Sequence, residues 1–541
     1  MNKPSLWGPL THPAFRRLWA GGLVSNLGTM VQTVGAGWLM ATITTSNDMV
    51  ALVQSATTLP VMVFSIASGA LADSYDRRHL LMIAQLMMMA TAAVLAVFAG
   101  AGQITPWPLL AFTFLLGCGT ALHTPSWQAS VGDVVPRAEI SAAVTLNSMG
   151  LNLTRSVGPA LGGLIVATCG AATAFAFNAV SFLPMIHALL RWTASLKPNP
   201  LPREDFRRAV LSGLSYVAMS PNLLTVIARG FVFGLVAIAI LALLPVVARD
   251  LVKGGAGVYG LLLGSFGIGA IGGGLMNARV RQRFSNETIV RGTFVCIGLS
   301  AALVGTSRNT GLTCLALLPA GAAWVMALSL FNVVVQLSTP RWVVGRVLSI
   351  YQTASFGGMT AGGWLWGMLA QGFGAPTALM LSGAVSILGV AIGLRFALPV
   401  LQSLNLDPLD QFQEPALQVG LHPRSGPVLI TVSYDIAPDK VPALLAAMTE
   451  RRRIRLRDGA RQWTLLRDLE TPGLWRESYH FPTWVDYLRH NHRRTHADAE
   501  IAARLHALNA GGQKPVVQRM IEWQDVPLMD DLAIKPHVDL T

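Results

Sequence analysis

Between residues 18 and 398 the chain carries twelve apolar stretches, at 18–43, 49–72, 80–101, 108–130, 141–168, 171–192, 222–248, 256–278, 289–307, 311–337, 346–370 and 375–398. A helix needs about 20 apolar residues to cross the hydrocarbon core of a bilayer. In lipid each backbone N–H and C=O must be satisfied within the protein, which leaves helices as the spanning element for such runs. The pattern predicts an all-α membrane bundle with twelve transmembrane helices. Pro60, Pro125, Pro159, Pro184 and Pro245 fall inside spans, where neighbouring helices and side chains can satisfy the freed carbonyls.

Charge is sparse and uneven. Only 12% of residues are charged and mean hydropathy is +0.50, against about 25% charged in soluble domains. Nine Asp and Glu precede residue 400 and eighteen follow it. Seventeen Lys and Arg lie on one side of the predicted topology, in the N-terminal segment and in or beside the loops after spans two, four, six, eight and ten. Three, Arg249, Lys253 and Arg308, lie on the other. Loops rich in Lys and Arg stay cytoplasmic, so both termini are expected there. The net charge of +13 is then a property of helix flanks, and no nucleic-acid partner is expected. MNKPSLWGPLTHPAFRRLW has no short apolar core ending in a cleavage site, so no cleaved signal peptide is expected. The four cysteines sit in apolar runs without a C-x-x-C pair and read as packing residues.

Weak echoes suggest duplication. HPAFRRLWAGG at 12–22 parallels SPNLLTVIARG at 220–230, HTPSW at 123–127 parallels STPRW at 338–342, and GPALGG at 158–163 parallels TAGG at 360–363. The echoes keep their order. They predict two six-helix halves, 1–192 and 221–400, joined by a basic cytoplasmic linker at 193–220. Parallel repeats about a shared central site are one of the architectures of secondary transporters.

GALADSYDRRHL at 69–80 places four charges in six positions between spans two and three. Gly69, Leu71, Ala72, Asp73, Arg77 and Arg78 resemble the signature loop of major facilitator transporters, with Asp76 where glycine is commoner. The resemblance implies a latch. Gly69 allows close helix approach, Asp73 faces a helix N-terminus of the other half, and Arg77 and Arg78 pair with acids nearby. The alternative for the two arginines is the basic-loop rule alone. GPALGG (Gly158, Pro159, Gly162, Gly163) resembles the antiporter motif of the same superfamily, and otherwise reads as small-residue packing. TPSWQASVGDVVPRAEISAAVTLNSMGLNLTRSVGPALGG at 124–163 resembles a bacterial subfamily that includes the enterobactin exporter and the transmembrane secretion effectors. That resemblance implies proton-driven efflux of a small molecule across the inner membrane. An importer or uniporter of the same fold remains the alternative.

No carboxylate falls mid-span. The polar side chains within spans that could serve a substrate or proton cavity are Arg155, Arg229, His123, Gln32, Gln54 and Asn152. Charge in lipid is costly, so Arg155 and Arg229 should face a cavity or a partner, and His123 can titrate near neutral pH.

After a polar, proline-spaced linker at 401–426, residues 427–525 read as strand, helix, two strands, helix and strand, the ferredoxin-like order; 526–541 is a tail. LWRESYHFPTWVDYLRHNHRRTHADAE resembles the end domain of this exporter subfamily, which is similar to antibiotic-biosynthesis monooxygenases that pair into dimeric barrels. Regulation or dimerisation is its expected role, with an enzyme fused to a carrier as the alternative. His480, His490, His492 and His496 form a cluster. His492 and His496 would be one turn apart on a continuous helix, but Arg493 and Arg494 between them oppose a cation, so neither metal nor cofactor is expected. The expected partners are a small-molecule substrate and the lipid bilayer.

Overall fold

The computed structural model describes residues 7–192 apart from 75, 137 and 138, then 206–340, 342–398, most of 409–510, and 515–522. The chain divides into two compact units, one built from 1–339 with 343–403 and the other from 404–541 with 340–342.

The first unit is helical: α1 (Pro13–Ile43), α2 (Asn47–Ser74), α3 (Arg77–Gly100), α4 (Pro106–Val134), α5 (Ile140–Ser181), α6 (Leu183–Leu190), α7 (Phe206–Ala218), α8 (Pro221–Val246), α9 (Ala256–Arg283), α10 (Asn286–Thr306), α11 (Thr310–Leu337), α12 (Val344–Phe373) and α13 (Ala375–Arg395). A π-helical turn at Val247–Leu251 prolongs α8. Among the described residues, nine helical stretches are long and apolar enough to cross a membrane. One of them, Ala142–Leu190, is 49 residues long and carries the fifth and sixth expected spans. It is broken at Gly170, whose φ of 82° and ψ of 169° reverse the chain without a loop. That conformation is strained for any residue with a Cβ. The helices α1 and α12 are 31 and 30 residues long but fall outside the nine, because glycines and polar residues break up their apolar runs.

The duplication is visible in packing. The pairs α1–α5, α2–α4, α3–α4, α3–α6 and α1–α6 recur as α8–α12, α9–α11, α10–α11, α10–α13 and α8–α13. Across the halves, α2 packs on α12 and, in the symmetry-related position, α9 packs on α5. The linker holds structure that its polarity concealed: α7 buries Tyr216 and Val217, and its Ser212 Oγ accepts from Arg346 Nη1 of α12 at 2.7 Å.

The second unit has strands β1 (Val428–Asp435), β2 (Arg461–Arg467), β3 (Leu474–Phe481) and β4 (Val516–Ile521), with helices α14 (Val441–Arg457), α15 (Trp484–His492) and α16 (His496–Leu508). The antiparallel sheet runs β2-β3-β1-β4, the strand order of a ferredoxin-like fold. Alternate residues of β1, Val428, Ile430, Val432 and Tyr434, bury one face, as the period of two requires. Leu444 and Met448 of α14 and Ile501 and Leu505 of α16 join them in one core. The single helix expected over 482–508 is two. The first ends at His492 with Arg493 as its C-cap, and Thr495 starts the second through a capping box with Asp498, so His492 and His496 do not share a helix.

Candidate functional site

The two halves of the first unit meet along two seams. In α5–α9, glycine lies against glycine: a Cβ on Gly163 would come 2.6 Å from the Gly260 Cα, and one on Gly260 would come 3.0 Å from the Pro159 carbonyl oxygen. In α2–α12, hydroxyls face the seam. Ser55 Oγ donates to the Thr360 carbonyl at 2.9 Å, and the Thr58 and Thr360 hydroxyls lie 2.8 Å apart. A side chain on Gly363 would strike Ser55, and one on Gly367 would strike Ala51. Small residues of this kind let backbones approach where lipid offers no hydrophobic drive.

Both seams are tight at the end of the bundle that carries the turns at 44–46, 252–255 and 374. There Arg249, at the end of α8, reaches across to the first half. Its Nη1 donates to the Ala41 and Thr44 carbonyls at 2.6 and 3.0 Å, and its Nη2 donates to Asn47 Oδ1 at 3.3 Å. Asp250 pairs with the same guanidinium at 2.7 Å. Ala41 lies in the last turn of α1, where carbonyls lack intrahelical partners and the dipole favours a cation. Asn47, at the start of α2, also donates its Nδ2 to the Ala370 carbonyl at 3.2 Å and its main-chain N–H to Gln371 Oε1 at 2.7 Å. The Tyr259 hydroxyl lies so close to Gly37 that a Cβ there would sit 2.7 Å away.

The expected site residues scatter over distinct roles. Gly158, Pro159, Gly162 and Gly163 act as a packing strip: a Cβ on Gly158 would meet Met30 of α1, one on Gly162 would meet Val31, and Gly163 serves the seam. Arg77 donates to Asp133 of α4 at 2.7 Å, and Arg78 donates to the Leu190 carbonyl at 3.1 Å. These partners belong to their own half. Asp76 caps α3 by accepting from the Arg78 N–H at 2.9 Å. The surroundings of Gly69 and the side chains of Asp73 and Asn152 lie outside what the structure describes.

Arg229 is buried in a helix interface. Its side chain is 2% exposed and paired with Glu287, which also accepts from Arg291 Nε at 2.8 Å and from the Leu398 N–H at 2.9 Å. Glu287, in the first turn of α10, reaches into the α8–α10–α13 interface and balances the buried guanidinium. Gln32 is likewise buried, accepting from Asn178 Nδ2, beside Ser181; this polar knot ties α1 to the second arm of α5. Arg155 is exposed and makes no side-chain hydrogen bond or ion pair among the described residues. It stands about 22 Å along α5 from its start, close to mid-membrane depth. His123 of α4 is half-buried, and its Nε2 is buried without a hydrogen-bond partner. Gln54 of α2 is half-buried.

Sequence reasoning missed Arg249, Gly260, Ser55 and Thr360. Arg249 alone left a signal, as one of three cations on the side where cations are scarce.

Residues 4–526 match the family described as Transmembrane secretion effector. The enterobactin exporter EntS of Escherichia coli O6:H1 (strain CFT073) is 26% identical over 418 residues, covering 76% of this chain and 95% of that protein. The Staphyloferrin A transporter of Staphylococcus aureus is 26% identical over 257 residues, covering 45% of this chain and 62% of that one. A crystal structure of a D-xylose-proton symporter superposes with a TM-score of 0.57 at 14% identity, covering 71% of this chain and 98% of the symporter.

Proposed function

The chain belongs to the transmembrane secretion effector family of major facilitator transporters, and from that premise we propose that it exports a small amphipathic molecule of the siderophore or drug class by alternating access. The observation that carries this reading is the distribution of contacts between halves. Two symmetry-related seams and the Arg249 bridge hold one end together. At the opposite end Arg77 and Arg78 turn to partners within their own half. Alternating access needs one end of the bundle closed by contacts between the halves while the other can part. The bias of Lys and Arg toward the opposite end supports an extracytoplasmic closed end, with both termini on the cytoplasmic side of a bacterial inner membrane. The names of the enterobactin and staphyloferrin relatives support the siderophore class, and that of the enterobactin exporter supports the outward direction.

Proton antiport is the proposed drive. Arg155 offers a positive charge to an anionic group of the cargo. His123, with an unpartnered buried nitrogen, is the proposed proton carrier. Inverted membrane vesicles with a preformed proton gradient and a pH-sensitive dye test this. Adding enterobactin should dissipate the gradient, and His123→Ala should abolish that while cargo binding persists. Cargo accumulation with no loss of the gradient sinks the antiport reading; cargo leaving the vesicles sinks export.

A further inference from the structure

A cavity of about 560 Å³ opens in the second unit between the sheet and α16, within the range of small-molecule sites. Among the described residues its wall includes four arginines, Arg451, Arg455, Arg494 and Arg519, and no carboxylate. The balancing acid lies behind it: Glu477, fully buried in β3, accepts from Arg455 Nε at 3.2 Å and from Trp463 Nε1 at 3.1 Å. One carboxylate therefore faces several guanidinium groups. Arg451, 7% exposed, stands 3.6 Å from Glu477 and its Nε makes no hydrogen bond. Arg494 makes no side-chain hydrogen bond or ion pair among the described residues. Arg519 is held by the Tyr487 hydroxyl at 2.7 Å. His490, 1% exposed, approaches Arg455 Nη1 with its Nε2 at 2.6 Å and so cannot supply a counter-charge.

The rest of the wall is aromatic and small. The Tyr434 and Tyr479 rings are buried, with the Arg455 guanidinium 4.3 Å from the Tyr479 ring centre. Ala499, Ala502 and Ala503 of α16 keep the opposite side open. Burial, and the like charges of Arg455 and Arg451, hold the Arg494 guanidinium below its usual pKa, a strain that a bound anion would relieve.

We propose that this cavity is a receptor site for a small organic anion bearing an aromatic ring, its charge met by Arg494 and Arg451 and its ring lying among the tyrosines. The cavity is built from residues of the second unit, and the proposal stands whatever the cargo. Purified full-length protein titrated calorimetrically with salicylate, and with the uncharged salicylamide, tests it. Salicylate should bind saturably and about tenfold or more tighter than salicylamide, as hydrogen bonds between charged partners allow. Arg494→Gln, at a partly exposed side chain that holds nothing else in place, should melt as the wild type does and lose about tenfold in affinity. Ala502→Trp should abolish binding by filling the cavity. No salicylate binding, equal affinity for the amide, or unchanged binding in both variants would each overturn the proposal.

Discussion

At the scale of single residues, the structure separates arginines that look alike in sequence. Arg155, Arg229 and Arg249 each interrupt or end an apolar run; the scarcity of cations on its side marks Arg249, but the sequence offers no way to tell Arg155 from Arg229. Their partners decide. Glu287 lies 58 positions from Arg229 in the chain, and only folding brings the two together. Glu287→Gln should leave that guanidinium buried without its counter-charge, at a cost of about 3–5 kcal/mol. The expected outcome is a sharp fall in folded, membrane-inserted protein, with the double variant Arg229→Met, Glu287→Leu recovering much of it. If Arg229 instead bound cargo, Arg229→Met alone would insert normally and fail only in transport. Arg249→Met should loosen the closed end. An impermeant maleimide on intact cells should label a cysteine at Thr44 several-fold faster in that background, and export should fall.

At the scale of helices and strands, what the sequence made legible is whatever rests on hydrophobic period and punctuation. Apolar runs located the helices of the first unit, and alternation located all four strands of the second. The breaks inside elements were harder to see. The step at Gly170 between the fifth and sixth spans was legible, though not that it reverses the chain without a loop, and Thr495 starts a helix through a cap that its flanking histidines and arginines obscured. The seam glycines belong to the same class. Gly158, Pro159, Gly162 and Gly163 stood out as a motif, whereas Gly260 is one of many glycines in α9 and is set apart only by what it touches. Gly260→Leu should place a side chain where a backbone now sits. The protein should still insert, because the face within its own half is untouched, but the α5–α9 seam should no longer close. Export should fall to background, while Gly272→Leu, at a position with open space around it, should remain active. Equal activity of the two variants would show that the seam need not close.

At the scale of the whole molecule, the two units answer to different solvents. The first is held by shape and by a few paired charges, and lipid supplies the rest. The second is a small water-facing fold with charge at its centre. Burial pushes the Glu477 carboxyl up, but Arg455 and Arg451 beside it outweigh this and hold it below the usual carboxylate value. Its contribution to stability is therefore complete above about pH 4.3, the unfolded value, and is lost as pH falls below that. Glu477→Gln should destabilise the second unit by about 3–5 kcal/mol at neutral pH and flatten its acid limb, read by thermal melts of the full chain across pH. An unchanged acid limb would show that other groups govern it.

The brevity of the turns at 44–46, 252–255 and 374 has a further consequence, with both termini cytoplasmic as proposed. The outer face offers almost no slack polypeptide for another protein to grip. Trypsin added to intact cells should leave the chain whole, whereas the same enzyme on everted membranes meets the exposed Arg283 at the end of α9. A surface so bare also gives antibodies and phage few footholds, so this carrier would be nearly invisible from outside the cell it serves.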